Sequence, residues 1–142
     1  MEDVILIIGA ARSGIASAEY LLSVGKKIVV SDMNVKVSEA VEAQLGHDSV
    51  SYVWGKQPDV KAIHPSVIVM SPGVPLTIPP VAEARALNIP VISEPELAFR
   101  HSEVPFVAIT GTNGKTTTTT LTTVLLEKEG RKVKPVVTLA CH

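Results

Sequence analysis

Val4-Ile5-Leu6-Ile7-Ile8-Gly9-Ala10-Ala11-Arg12-Ser13-Gly14 is the stretch on which the fold turns. Its opening apolar run, almost all Val and Ile, suits a strand covered on both faces, the situation of a parallel sheet. The glycine-bounded loop then opens a helix predicted from about Ser13 to Val24. Ile15, Ala18 and Leu22 fall on one face of it, and Gly25 stands where a helix ends. Ile28-Val29-Val30, finishing in Ser31-Asp32, reads as a second strand. Strand, helix and strand in so short a span make a βαβ unit, whose crossover is right-handed.

The same punctuation continues outward. A helix is predicted over Val37–Leu45, stopped by Gly46, and strands over Ser51–Trp54 and Val67–Met70. A helix from Pro79 to Leu87 starts on proline, which suits a first turn. A strand over Pro90–Ile92 and a helix over Glu94–His101 follow. The pattern then restarts with a strand over Val104–Thr110, the loop Gly111-Thr112-Asn113-Gly114-Lys115-Thr116, a helix to about Glu129 and a strand from Val133 to Val137. The expectation is an α/β fold: a Rossmann-like parallel sheet over residues 1–93, a linker helix over 94–103, and over 104–142 the first strand, P-loop and helix of an incomplete second α/β ATPase domain.

Composition bounds the function. With 46% hydrophobic and 19% charged residues, the 142-residue chain builds a core and is not disordered. Thirteen basic residues against 14 acidic ones leave a formal net charge of −1, so there is no basic excess to neutralise a nucleic-acid backbone. The longest apolar run, Val4 to Ala11, falls far short of the roughly 18 residues of a membrane span. The start Met1-Glu2-Asp3 is acidic where a secretory leader is basic. A cytoplasmic protein with neither nucleic acid nor membrane as partner is expected. The single cysteine, Cys141, can form no intrachain disulfide and has no visible activating partner. His47, His64, His101 and His142 are too scattered to suggest zinc. Tyr52 and Trp54 share a strand face and read as core, and Glu94 and Glu96 as a solvated helix face.

The loop at Gly111–Thr116 carries the strongest chemical signal. Small residues let backbone N–H groups surround phosphate oxygens, and the helix that follows adds the positive end of its dipole. Lys115 supplies a point charge for the β- and γ-phosphates, and the Thr116 hydroxyl can hold Mg²⁺. The spacing is the short G-x-x-G-K-T, because Ile109 stands where the longer motif has its first glycine. In the run Thr116 to Thr120, Thr116 and Thr117 have a ligand role to fill. Thr118 to Thr120 have none, and their hydroxyls are expected on backbone carbonyls.

Gly9-Ala10-Ala11-Arg12-Ser13-Gly14 occupies the place of the dinucleotide fingerprint G-x-G-x-x-G, with Ala11 at the middle glycine. That glycine permits the closest backbone approach to a pyrophosphate, so its loss disfavours a nicotinamide dinucleotide without excluding a diphosphate held less tightly. Asp32 ends the second strand, where an acid can bond a ribose or base. Ser71-Pro72-Gly73 closes another strand on the same carboxyl edge, either as a plain turn or as a ligand contact.

Gly111 to Thr117 after Ala108-Ile109-Thr110 resembles the ATP loop of the Mur ligases. Ser71-Pro72-Gly73, Ile89-Pro90-Val91-Ile92 and Glu94 to Ala98 are similar to the branch that adds D-glutamate, as is the opening Gly9-to-Gly14 loop with Ser31-Asp32. The resemblance extends to about Val133. It implies peptidoglycan precursor synthesis: ATP-dependent ligation of D-glutamate to UDP-N-acetylmuramoyl-L-alanine through an acyl phosphate. It further implies that Gly111, Thr112, Asn113, Gly114, Lys115, Thr116 and Thr117 hold ATP, with Lys115 catalytic and Thr116 on Mg²⁺. Ala11, Arg12 and Ser13 would approach the UDP diphosphate, Asp32 the uracil or ribose, and Gly73 the sugar nucleotide. Where the family carries a Gly-Asn-Ile-Gly-like segment, this chain has Val137-Thr138-Leu139-Ala140. Later metal ligands and the amino-acid-binding domain are absent, so this stretch alone is expected to be inactive. The alternatives are an NAD(P)-binding oxidoreductase domain and a non-catalytic nucleotide-binding module.

Overall fold

The structure is a computed structural model that describes residues 3–103, 105, 107, 109 and 113–133. It divides into two compact units, Met1–Glu103 and Val104–His142. In the first, β1 (Val4–Ile8), β2 (Lys27–Asp32), β3 (Val50–Trp54), β4 (Val67–Met70) and β5 (Val91–Ser93) form one sheet in the order β3-β2-β1-β4-β5. Every pairing is parallel. The helices are α1 (Arg12–Ser23), α2 (Ser38–Leu45), α3 (Val60–Ile63), α4 (Pro79–Ala86) and α5 (Glu94–Arg100). This is the expected Rossmann-like α/β architecture.

Burial on both faces explains the unbroken apolar run that opens the chain. Ile5 and Ile7 of β1 face α1, α2 and α5, where they join Ile28, Val30, Val50, Val69 and Ile92 with Ala18, Leu21, Val41, Leu45 and Leu97. Leu6 and Ile8 face the other side, with Val29, Ile68 and Met70, under Val60 of α3 and Val81 and Ala84 of α4. Each fully buried aliphatic side chain stabilises by about 1.5–3 kcal/mol. The switch of face comes between β3 and β4. The chain leaves one edge of the sheet and returns beside β1 through α3, a single turn capped by Asp59, whose side chain accepts from the Ala62 amide at 2.9 Å. The sequence pattern does not predict α3, because four residues show no helical period.

α5 belongs to the first unit. Leu97 is in the core, and His101, just past its end, packs edge-on against Tyr20 of α1 with ring centres 5.6 Å apart. On the opposite edge, Tyr52 stacks on Trp54 at 5.5 Å, and the Trp54 indole donates to Glu42 of α2 at 2.6 Å. The Tyr52 hydroxyl donates to the Gly46 carbonyl. Burial pushes the Tyr52 phenol above its usual range, and the negative charge of Glu42 adds to the effect.

In the second unit, α6 (Lys115–Lys128) begins after Gly114, whose φ of 77° is left-handed. The strands expected over Val104–Thr110 and Val133–Val137 fall largely outside the described residues, as do Gly111, Thr112 and Cys141. Among the described residues no helix is long and apolar enough to cross a membrane.

Candidate functional site

The sheet order reverses between β1 and β4, and open α/β sheets bind ligands beyond the carboxyl ends of the strands at such a point. Two loops meet at it, residues 9–14 after β1 and residues 71–74 after β4. Gly9 has φ of 107°, a value that favours glycine, and its amide donates to the Ser31 carbonyl at 2.8 Å. A methyl group on Gly9 would lie 2.6 Å from Ser71 Cβ, and one on Gly14 would collide with the Gly9 carbonyl oxygen. Gly9 is therefore demanded by the close approach of the two loops, and Gly14 by the tight turn of its own segment back toward the Gly9 carbonyl.

Between them, Ala11, Arg12 and Ser13 are exposed, Ala11 just before α1 and Arg12 and Ser13 in its first turn. Ala11 is the N-cap, and no side chain caps the helix. The first-turn amides point outward from a helix whose dipole favours an anion there. Ala11 is fully extended (ψ of 178°), so its methyl is accommodated without strain.

Asp32 stands at the end of β2. Its Oδ2 accepts from the Ala10 amide and its Oδ1 from the Asn34 amide, each at 2.7 Å. Both oxygens are thus engaged in shaping the loops, and what remains for a ligand is the second lone pair of each. Gly73 lies exposed in the loop after β4, with open space where a Cβ would be. Beside it, Met70, Ser71, Pro72, Val74, Leu76, Val91, Ile92 and Ser93 line a largely apolar cleft of about 300 Å³. Ala11, Arg12, Ser13, Asp32 and Gly73, far apart in sequence, all stand on this one edge.

Two polar residues here carry weight that the sequence pattern does not reveal. Ser71 and Glu94 are both buried, and the Ser71 hydroxyl donates to Glu94 Oε1. Glu94 was expected on a solvated helix face together with Glu96. Only Glu96 is partly exposed, accepting from Arg100 at 2.8 Å, whereas the first turn of α5 buries Glu94 against Ser71. A helical period cannot distinguish these two positions when the helix is only two turns long.

In the second unit, Asn113 and Gly114 precede α6, and Lys115, Thr116 and Thr117 form its first turn, with no side-chain cap. Thr119 Oγ1 donates to the Lys115 carbonyl at 2.7 Å and Thr120 Oγ1 to the Thr116 carbonyl at 2.9 Å. Thr123 does likewise to Thr119. These hydroxyls satisfy themselves on the helix backbone. Thr116 and Thr117 have no helical carbonyl four residues back, which leaves the first turn chemically suited to an anion and its counter-ion.

Comparison with known proteins agrees with this architecture. Residues 3–93 match the family described as Mur ligase MurD-like, N-terminal domain. UDP-N-acetylmuramoylalanine–D-glutamate ligases of Alkaliphilus metalliredigens and Bacillus thuringiensis are each 41% identical, over 89% and 97% of this chain. That of Shouchella clausii is 41% identical over 90%. The chain spans 28% to 32% of the length of these relatives. A crystal structure of UDP-N-acetylmuramate-alanine ligase MurC from Thermotoga maritima superposes with a TM-score of 0.59 over 92% of this chain and 30% of that one, at 20% identity, a likeness of fold. These relatives are ligases, which does not favour the oxidoreductase alternative.

Proposed function

Because this chain belongs to the MurD-like Mur ligases, we propose that its first unit is the platform on which such an enzyme holds a UDP-linked precursor, and that its second unit opens the ATP site. The parent activity is ATP-dependent ligation of D-glutamate to UDP-N-acetylmuramoyl-L-alanine in peptidoglycan precursor synthesis, in the cytoplasm. The observation that carries the reading is the meeting of an uncapped helix start and two abutting loops at the β1/β4 reversal of strand order, on the edge where α/β sheets bind nucleotides.

The amides of Arg12 and Ser13 receive the diphosphate, with the Arg12 guanidinium beside it, and Ala11 sets the distance of approach. Asp32 holds the turn through Ala10 and offers its remaining lone pairs to the ribose or uracil. Gly73, which has open space in place of a side chain, leaves room for the sugar nucleotide.

Mg·ATP, when bound, supplies the phosphoryl group that activates the precursor's carboxylate for attack by the amine of D-glutamate. In the second unit the backbone of Gly111, Thr112, Asn113 and Gly114 and the first-turn amides of α6 would hold the phosphates. The Lys115 ammonium would neutralise charge on the phosphates, Thr116 would ligate Mg²⁺, and Thr117 would donate from the same turn. The donor set fits: small residues ahead of an uncapped helix, one ammonium and one first-turn hydroxyl.

Calorimetric titration of the chain with UDP-N-acetylmuramoyl-L-alanine, UDP, NADH and Mg·ATP tests the reading. Binding of both UDP compounds, with the complete precursor the tighter, is expected. Binding of NADH with none of the UDP compounds would overturn it.

A further inference from the structure

Among the described residues the buried polar side chains are Ser31, Ser71 and Glu94, and the reading above gives Glu94 no role. Burying a carboxyl group costs free energy unless hydrogen bonds compensate it, and here the Ser71 hydroxyl donates to it. The same hydroxyl oxygen lies 3.2 Å from the Gly9 carbonyl. A serine has one hydrogen to give. With the Glu94 oxygen the nearer acceptor, that hydrogen fixes the rotamer in which Ser71 lies against Gly9 and Gly14. Absent methyl groups on those two glycines would sit 2.7 Å and 3.2 Å from Ser71 Oγ. Ser71 therefore stands close against both glycines that bound residues 9–14. From the β2 side the loop is held separately, by Asp32 through the Ala10 amide.

We propose that Glu94 and Ser71 act as one positioning device, in which Glu94 orients Ser71 and Ser71 sets where the start of α1 presents its backbone to a nucleoside diphosphate. This rests on the reading that the start of α1 faces a diphosphate. Neither residue needs to touch the ligand. Both are positioning residues, and their effect is local to one loop.

The test uses the full chain and the variants Ser71→Ala, Glu94→Met, Glu94→Gln and the double Ser71→Ala/Glu94→Met. Met fills the volume of Glu without an acceptor, whereas Gln keeps an oxygen for the Ser71 hydroxyl. Amide hydrogen exchange without ligand is read at Gly9, Ala10 and Ile15, whose amides donate to the Ser31 carbonyl, Asp32 and the Ala11 carbonyl, against the amides of α2 and β3. Ser71→Ala and Glu94→Met are expected to speed exchange in the loop about tenfold relative to α2 and β3, the scale of one net hydrogen bond. Glu94→Gln should stay close to the parent. The UDP dissociation constant should rise by a similar factor of about ten in the first two variants, and the double variant should be no worse than the worse single one. Should Ser71→Ala fail to fold by circular dichroism, the Met and Gln pair at position 94 decides the matter. Unchanged loop exchange in Glu94→Met, uniform acceleration across the unit, or additive losses in the double variant would overturn the proposal. Loop loosening in a chain whose parent shows no UDP binding would leave the device standing and remove the substrate reading instead.

Discussion

Replacing Gly9 by alanine sets two costs on top of one another, and Gly25 separates them. Both glycines have positive φ, 107° and 75°, so alanine at either site carries backbone strain, about 1–2 kcal/mol for a left-handed L-residue. Only Gly9 adds a collision. Its new methyl would stand 2.6 Å from Ser71 Cβ and 3.2 Å from Val74 Cγ2, whereas a methyl on Gly25 meets nothing within 4 Å. Carbon atoms settle at about 3.5–4.0 Å, so the two loops would have to part by about 1 Å. Ser71 cannot yield freely, because it is buried and hydrogen-bonded to Glu94. Overpacking of this kind costs about 1–3 kcal/mol, which puts Gly9→Ala that much below Gly25→Ala. Urea unfolding followed by fluorescence reports on the first unit alone, since Trp54 is the only tryptophan. At an m-value of about 1 kcal/mol/M the midpoints should differ by about 1–3 M. Equal midpoints for the two variants would refute the argument that loop contact, rather than φ, demands glycine at position 9.

Gly14→Ala should destabilise by about 1–3 kcal/mol despite alanine's better helix propensity, because its methyl meets the Gly9 carbonyl. Gly73→Ala should stay within about 0.5 kcal/mol of the parent in urea while weakening binding of the UDP-sugar in calorimetry. Asp32→Asn keeps one acceptor oxygen and turns an amide NH₂ toward one of the two backbone N–H donors. It should cost about 1–3 kcal/mol in the same unfolding assay. Tyr52 should ionise above the ordinary tyrosine range in an ultraviolet absorbance titration. Its folded value is raised, so its contribution to stability is complete below the unfolded pKa near 10 and is lost as pH climbs through the folded one, a loss absent from Tyr52→Phe. Lys115→Ala should weaken Mg·ATP binding about 10- to 100-fold, the scale of a charged hydrogen bond, and leave UDP binding unchanged in calorimetry.

The fold of the first unit was legible because its information is local. Val4–Ile8 and Val67–Met70 are apolar without alternation, as strands buried on both faces must be. Gly25 and Gly46 mark where α1 and α2 end, both with positive φ. Where the local signal was too short it failed, at α3, whose single turn shows no period, and at the 3-10 turn over Val35–Val37.

By itself, then, the order of residues determined a βαβ repeat, a glycine-bounded loop at the start of α1 and an acid at the end of β2, all set by neighbours in the chain. Only the tertiary structure decided that β4 lies beside β1 rather than beside β3, and with it that Ser71 touches Gly9 and Gly14 and that Glu94 is buried under both while Glu96 meets solvent. Those relations join residues more than 60 and 20 positions apart. They arise from the reversal of strand order at the crossover after β3, which no stretch of neighbouring residues encodes.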